Sequence, residues 1–135
     1  MNRSTGLCAL LFCSGLLTSQ AEAFDLNGAW ATGTDQCKQV FVKKGDKISF
    51  AQFSEEFGGG FVANGNDVRS KTVQCTIKSR KETSDTIDFQ AACASEIMAT
   101  STNLRLKILD ANTVSRVFTD PSLAGMELTF HRCSM

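Results

Sequence analysis

Cysteine, histidine and paired acids are the groups in this chain with usable chemistry, and their spacing decides between the uses. There are six cysteines, at 8, 13, 37, 75, 93 and 133, and one histidine, His131. A zinc site needs close ligand pairs such as Cys-x-x-Cys or His-x-x-x-His, which place two donors on one turn. His131-x-Cys133 is the nearest approach to such a pair, so no metal and no cofactor are expected. Acid–base catalysis calls for paired carboxylates, or a histidine beside a nucleophile. Glu55-Glu56 lies in the loop Phe53 to Phe61 among three glycines, where a solvated turn is the expectation. If Met126, Leu128, Phe130 and Arg132 face inward, His131 points outward with Thr129 and is solvated. Gly58-Gly59-Gly60 leads towards a strand and lacks the helix that a phosphate loop requires. The chain is therefore not expected to be an enzyme.

The first 23 residues have the pattern of a cleavable signal peptide. Arg3 supplies the positive start, and Leu7 to Leu17 is an apolar run. Ala21-Glu22-Ala23 offers the small-x-small motif of a cleavage site. The run is shorter than the roughly 20 residues needed to span a bilayer, and no later segment is expected to span one. Leu7 and Phe12 directly precede Cys8 and Cys13, where a lipoprotein signal wants a small residue. Residues 24–135 are then a single exported domain, periplasmic or secreted, and a monomer is expected. Removing the leader takes away one basic and one acidic residue, Arg3 and Glu22, from a chain with 14 of each. A balanced charge disfavours nucleic acid, which needs a basic face.

Four cysteines remain after cleavage, and an even number in a small exported chain implies two disulfides. Their pairing follows from the strands. Period-2 alternation dominates, with strands expected at 28–32, 38–43, 47–52, 60–64, 67–71, 73–81, 86–94, 102–109, 113–119 and 126–133. Only 94–102 has room for a short helix. If 73–82 pairs with 86–95 across a loop at 83–85, Cys75 falls opposite Cys93 and Ile77 opposite Ala91. Ser79 then faces Phe89, and Arg80 faces Asp88 on the other side. Cys75–Cys93 is thus a cross-strand disulfide, and Cys37–Cys133 remains to tie the beginning of the chain to its end. Evenly spaced strands without intervening helices indicate an all-β fold, a small antiparallel up-and-down β-barrel of about eight strands with those two disulfides.

The segment Asp25-Leu26-Asn27-Gly28-Ala29-Trp30 resembles the Gly-x-Trp signature that opens lipocalins and the wider calycin group. Arg132, within Phe130-His131-Arg132-Cys133, stands where that family has an arginine packed across the tryptophan. The resemblance implies that Trp30 and Arg132 close one end of the barrel. It covers only the two ends of the chain and the strand count between them. The chain is shorter than a lipocalin and looks more like the small exported barrels of bacteria. Having no tyrosine, it lacks the loop of lysozyme inhibitors and the pocket of avidins.

Two functions of different kind are consistent with these residues. In the first, Phe50, Phe61, Phe89, Leu106 and Met126 line an interior that holds a small apolar or acidic ligand, with the Phe53 to Phe61 loop as a lid. Placing Ile108 opposite Val114 sets Leu106 against Arg116 and puts Arg116 inside, where it needs an anion. A one-residue slip would put it outside, and the sequence leaves both registers open. In the second, Phe53 and Phe57 form a contact surface for a protein partner, such as the target of an inhibitor.

Overall fold

A computed structural model describes residues 22–135, so the leader at 1–23 falls almost wholly outside the described residues. Ten strands form. They are β1 (Gly28–Ala31), β2 (Phe41–Lys44), β3 (Lys47–Phe50), β4 (Gly60–Asn64), β5 (Asp67–Arg69), β6 (Gln74–Thr83), β7 (Thr86–Ala94), β8 (Ala99–Asp110), β9 (Thr113–Val117) and β10 (Glu127–Arg132). Eight close into an antiparallel barrel in the order β1-β10-β9-β8-β7-β6-β5-β4, while β2 and β3 form a separate ribbon. First and last strands pair, Trp30 opposite Arg132, and β1 pairs on its other edge with β4, Trp30 opposite Phe61. Closure leaves none of the eight with a free edge.

Tight turns set the register. Lys44 faces Lys47 and Asn64 faces Asp67 across two-residue loops. Gly45 and Gly65 occupy their first central positions with φ of 61° and 60°, the left-handed conformation that a type II′ hairpin turn demands there.

Two apolar clusters share β1. Inside the barrel, Trp30, Ile87, Phe89, Leu106, Val114 and Phe130 pack together. Outside it, Val40 and the ribbon residues Phe41, Ile48 and Phe50 lie over Ala29, Ala31 and Val62. Small alanines on the outer face of β1 let this second layer sit close. Gly60 is tighter still, because a Cβ there would lie 2.2 Å from the Trp30 carbonyl oxygen. Both disulfides form as expected, Cys37–Cys133 and Cys75–Cys93.

Several expectations are corrected. The 94–102 segment is not helical; Ala99 already belongs to β8, and a short helix, α1, forms at Cys37–Val40, overlapping the start of the strand expected at 38–43. Phe50 belongs to the outer ribbon, its ring 5.3 Å from Phe41, and does not face the barrel interior. Met126 precedes β10 and is 56% exposed, and Leu128 is more than a third exposed, so neither is a core residue. His131 faces outward, opposite Ala31, but is half-buried rather than fully solvated. The β6–β7 register holds at Cys75–Cys93 and Ile77–Ala91, then shifts by one residue between Ile77 and Ser79. Beyond this bulge Arg80 faces Phe89 and Lys81 faces Asp88, and the loop shortens to Ser84-Asp85. An extra residue in one strand turns every later side chain to the opposite face.

Candidate functional site

The barrel has two unlike ends. The β4–β5, β6–β7 and β8–β9 turns and residues 24–27 gather at one end, and the β5–β6, β7–β8 and β9–β10 connections at the other.

At the first end Trp30 is fully buried and donates its indole N–H to the Leu26 carbonyl at 2.8 Å. The Arg132 guanidinium carbon lies 4.3 Å from the centre of the Trp30 ring. That guanidinium donates to the carbonyls of Asn27 and Asp25, both at 2.6 Å, and of Ala111 at 3.0 Å. Its planar fork suits this arrangement, because stacking leaves the in-plane N–H groups free to bond. Trp30 stacks on Phe61 at 5.9 Å, and Phe61 meets Phe130 edge-on at 5.1 Å. Together these rings close that end.

Above this floor lies a cavity of about 400 Å³. Phe61, Phe89, Leu106 and Phe130 form its lower wall, and Val73, Thr100 and Thr102 line it nearer the other end. The Cys75–Cys93 disulfide is part of the wall; its Cα atoms are 4.0 Å apart, close to the roughly 4.5 Å of a non-hydrogen-bonded strand pair. Arg116 is the charged residue lining the cavity. The β8–β9 register is the one that turns it inward, with Leu106 opposite Arg116 and Ile108 opposite Val114. Its guanidinium carbon lies 4.7 Å from the centre of the Phe118 ring. Among the described residues, Arg116 has no carboxylate within ion-pair distance and no side-chain hydrogen bond.

Of the residues expected to line the interior, Phe61, Phe89, Leu106 and Arg116 do surround the cavity, whereas Phe50 and Met126 lie apart from it. Thr100 and Thr102 were not among them: Thr100 lay in the stretch with room for a short helix, and Thr102 opened an expected strand without being assigned to the interior; the alternation Thr100, Thr102, Leu104, Leu106 carries the signal.

The connections at the open end are apolar at several points. Phe53 is 55% exposed with φ of 59°, the one non-glycine residue with positive φ among those described. Phe57, Ile97 and Met98 are exposed as well. Lys71 bonds Glu55 at 2.5 Å, and that hydrogen bond holds the Glu55 carboxyl below its usual range. Asp120 accepts from the Ser122 hydroxyl and N–H, capping the turn at Pro121–Leu123, and its carboxyl is held low by those bonds. Among the described residues no three His, Cys, Asp or Glu side chains gather as metal ligands, and no helix is long and apolar enough to cross a membrane.

The fold and cavity define a closed eight-stranded antiparallel barrel with one open end. Comparison of the chain with protein-family models, curated proteins and solved structures returned no match.

Proposed function

We propose that this chain is an exported, lipocalin-like carrier that holds a small, mostly apolar molecule bearing one anionic group, and does so without chemical turnover. The observation that carries this reading is Arg116, a half-buried cation in an apolar wall with no carboxylate beside it. A charge withdrawn from water needs a counter-charge or hydrogen-bond acceptors, and a bound anion would supply both. The cavity volume falls near the lower end of ligand pockets, about 300 to 1,000 Å³, which favours a compact or medium-chain molecule. Export is supported by the leader-like residues 1–23 and by two disulfides, which persist in oxidising compartments. Kinship with calycins is supported by Gly28-x-Trp30 and by the Arg132–Trp30 stack.

Native mass spectrometry of protein taken from an exporting host, followed by denaturing analysis of the same sample, tests the proposal. A mass excess that disappears on denaturation is the expected result. A bare mass that persists after incubation with decanoate and decanol would rule out a carrier of such molecules. It would move attention to a second reading, a protein partner docking at the open end. That reading draws on the exposure of Phe53 and Phe57 and the left-handed backbone of Phe53, a conformation costing on the order of 1 kcal/mol or more at a non-glycine residue.

A further inference from the structure

The bulge after Ile77 puts Arg80 and Glu82 on the same face as Phe89 and Ile87, at the end of the barrel where residues 24–27 lie. There they hold Phe24 from both sides. The Phe24 backbone N–H points at both oxygens of the Glu82 carboxylate, at 3.0 and 3.2 Å. Arg80 donates to the Phe24 carbonyl at 2.5 Å and to the Glu82 carboxylate at 2.9 Å. The Phe24 ring packs on the core, 6.3 Å from Trp30. Glu82 thus aims two oxygens, with about four lone-pair directions, at an amide that has a single N–H to divide between them.

We infer that Glu82 and Arg80 form a receptor for a free α-ammonium group at Phe24, created when the chain is cut between Ala23 and Phe24. The inference rests on the reading of residues 1–23 as a cleavable leader. Hydrolysis by a leader peptidase breaks the Ala23–Phe24 bond. The hydroxyl of water goes to the Ala23 carbonyl carbon and its hydrogen to the Phe24 nitrogen, and the new amine takes a further proton from solvent. Three N–H donors and a positive charge then replace one neutral N–H in front of the same carboxylate. The bond to the amide is already charge-assisted through the carboxylate, and the ammonium adds to it the attraction between opposite charges. Processing thereby tightens the closed end of the barrel. All ten strands and both disulfides lie C-terminal to the cut.

The test is a thermal-unfolding cycle on four oxidised samples. These are the full chain and the chain beginning at Phe24, trimmed without added residues, each with Glu82 intact and as Glu82→Gln. Trimming should raise the midpoint by about 4 °C with Glu82 intact and by less than about 1 °C in Glu82→Gln, since the pair is only partly shielded from water. A chain beginning at Ala23 should lose that gain, because its ammonium sits one residue further from the carboxylate. Equal shifts with and without Glu82, or an Ala23 chain as stable as the Phe24 chain, would overturn the receptor. N-terminal sequencing of exported protein is read separately. A start at Phe24 supports the cut, and any other start overturns the leader reading while the cycle still reports on the receptor.

Discussion

Arg132 and Arg116 each lie over an aromatic ring, at 4.3 Å from Trp30 and 4.7 Å from Phe118, yet their surroundings are opposite. Arg132 delivers its N–H groups to three backbone carbonyls and joins the chain's beginning to its end. Arg116 delivers none to any described group, in a wall that is otherwise mostly apolar. A stacked arginine is therefore not one kind of feature. With its fork filled it is a strut, and with its fork empty it is a site awaiting an acceptor. The two disulfides divide in the same way, Cys37–Cys133 fastening the seam beside β1 and β10, and Cys75–Cys93 forming part of the cavity wall.

The largest test of that division is removal of each disulfide by paired substitution to alanine, read by urea denaturation. Loss of Cys37–Cys133, which spans 96 residues, should cost about 4 to 5 kcal/mol in the chain-entropy picture. Loss of Cys75–Cys93, which spans 18, should cost about 3. Equal costs, or the reverse order, would show that the seam is not the more demanding of the two regions. Next, Arg132→Met should destabilise by about 3 kcal/mol, because carbonyls near the buried indole lose a charged donor, while Arg116→Leu should change stability by less than about 1 kcal/mol. Comparable losses in the two variants would break the contrast.

Arg116→Leu should instead weaken decanoate binding by about tenfold, near 1.4 kcal/mol, and leave decanol binding unchanged, as measured by calorimetry. A variant that retains decanoate affinity would remove Arg116 from the site. The smallest effect concerns Asp88, whose carboxyl is held below the ordinary 3.8 by its hydrogen bond from Arg105 at 2.6 Å. A carboxylate with a lowered folded-state pKa contributes stability above its unfolded value and loses it as pH falls through the folded one. Wild type should therefore exceed Asp88→Asn in thermal midpoint above about pH 4, with the gap closing below it. The gap should be slight, because the pair is exposed to solvent and salt. A gap that persists to lower pH would mean that the carboxylate charge is not its source.

Much of the barrel was legible because β-structure writes itself in alternation. Cys75 and Cys93 found their pairing from register, and Trp30 and Arg132 from a short motif at either end. Other features left no comparable mark. The ribbon residues Phe41, Ile48 and Phe50 alternate just as barrel strands do, so nothing local says that they pack outside. Helix α1 has four residues, little more than one turn, too few for a 3.6-residue period to show. The bulge at Ile77–Ser79 inserts one residue without interrupting the polar run Lys78 to Lys81, which moved Arg80 away from Asp88 and hid the Phe24 clamp. Met126 shares the alternation phase of Phe130, but it lies before the point where β10 begins to pair.

Strand β1 carries a consequence for the substitutions this protein can tolerate. Trp30 fills the barrel, and Ala29 and Ala31 lie under the ribbon, so three successive positions are closed to solvent. Elsewhere, as along β7, acceptance of polar residues should alternate position by position. A saturation library over residues 29–31 should instead be depleted of charged residues at all three. In a survey of variants, that stretch would read as an unbroken intolerant block, the signature of a strand with no outside.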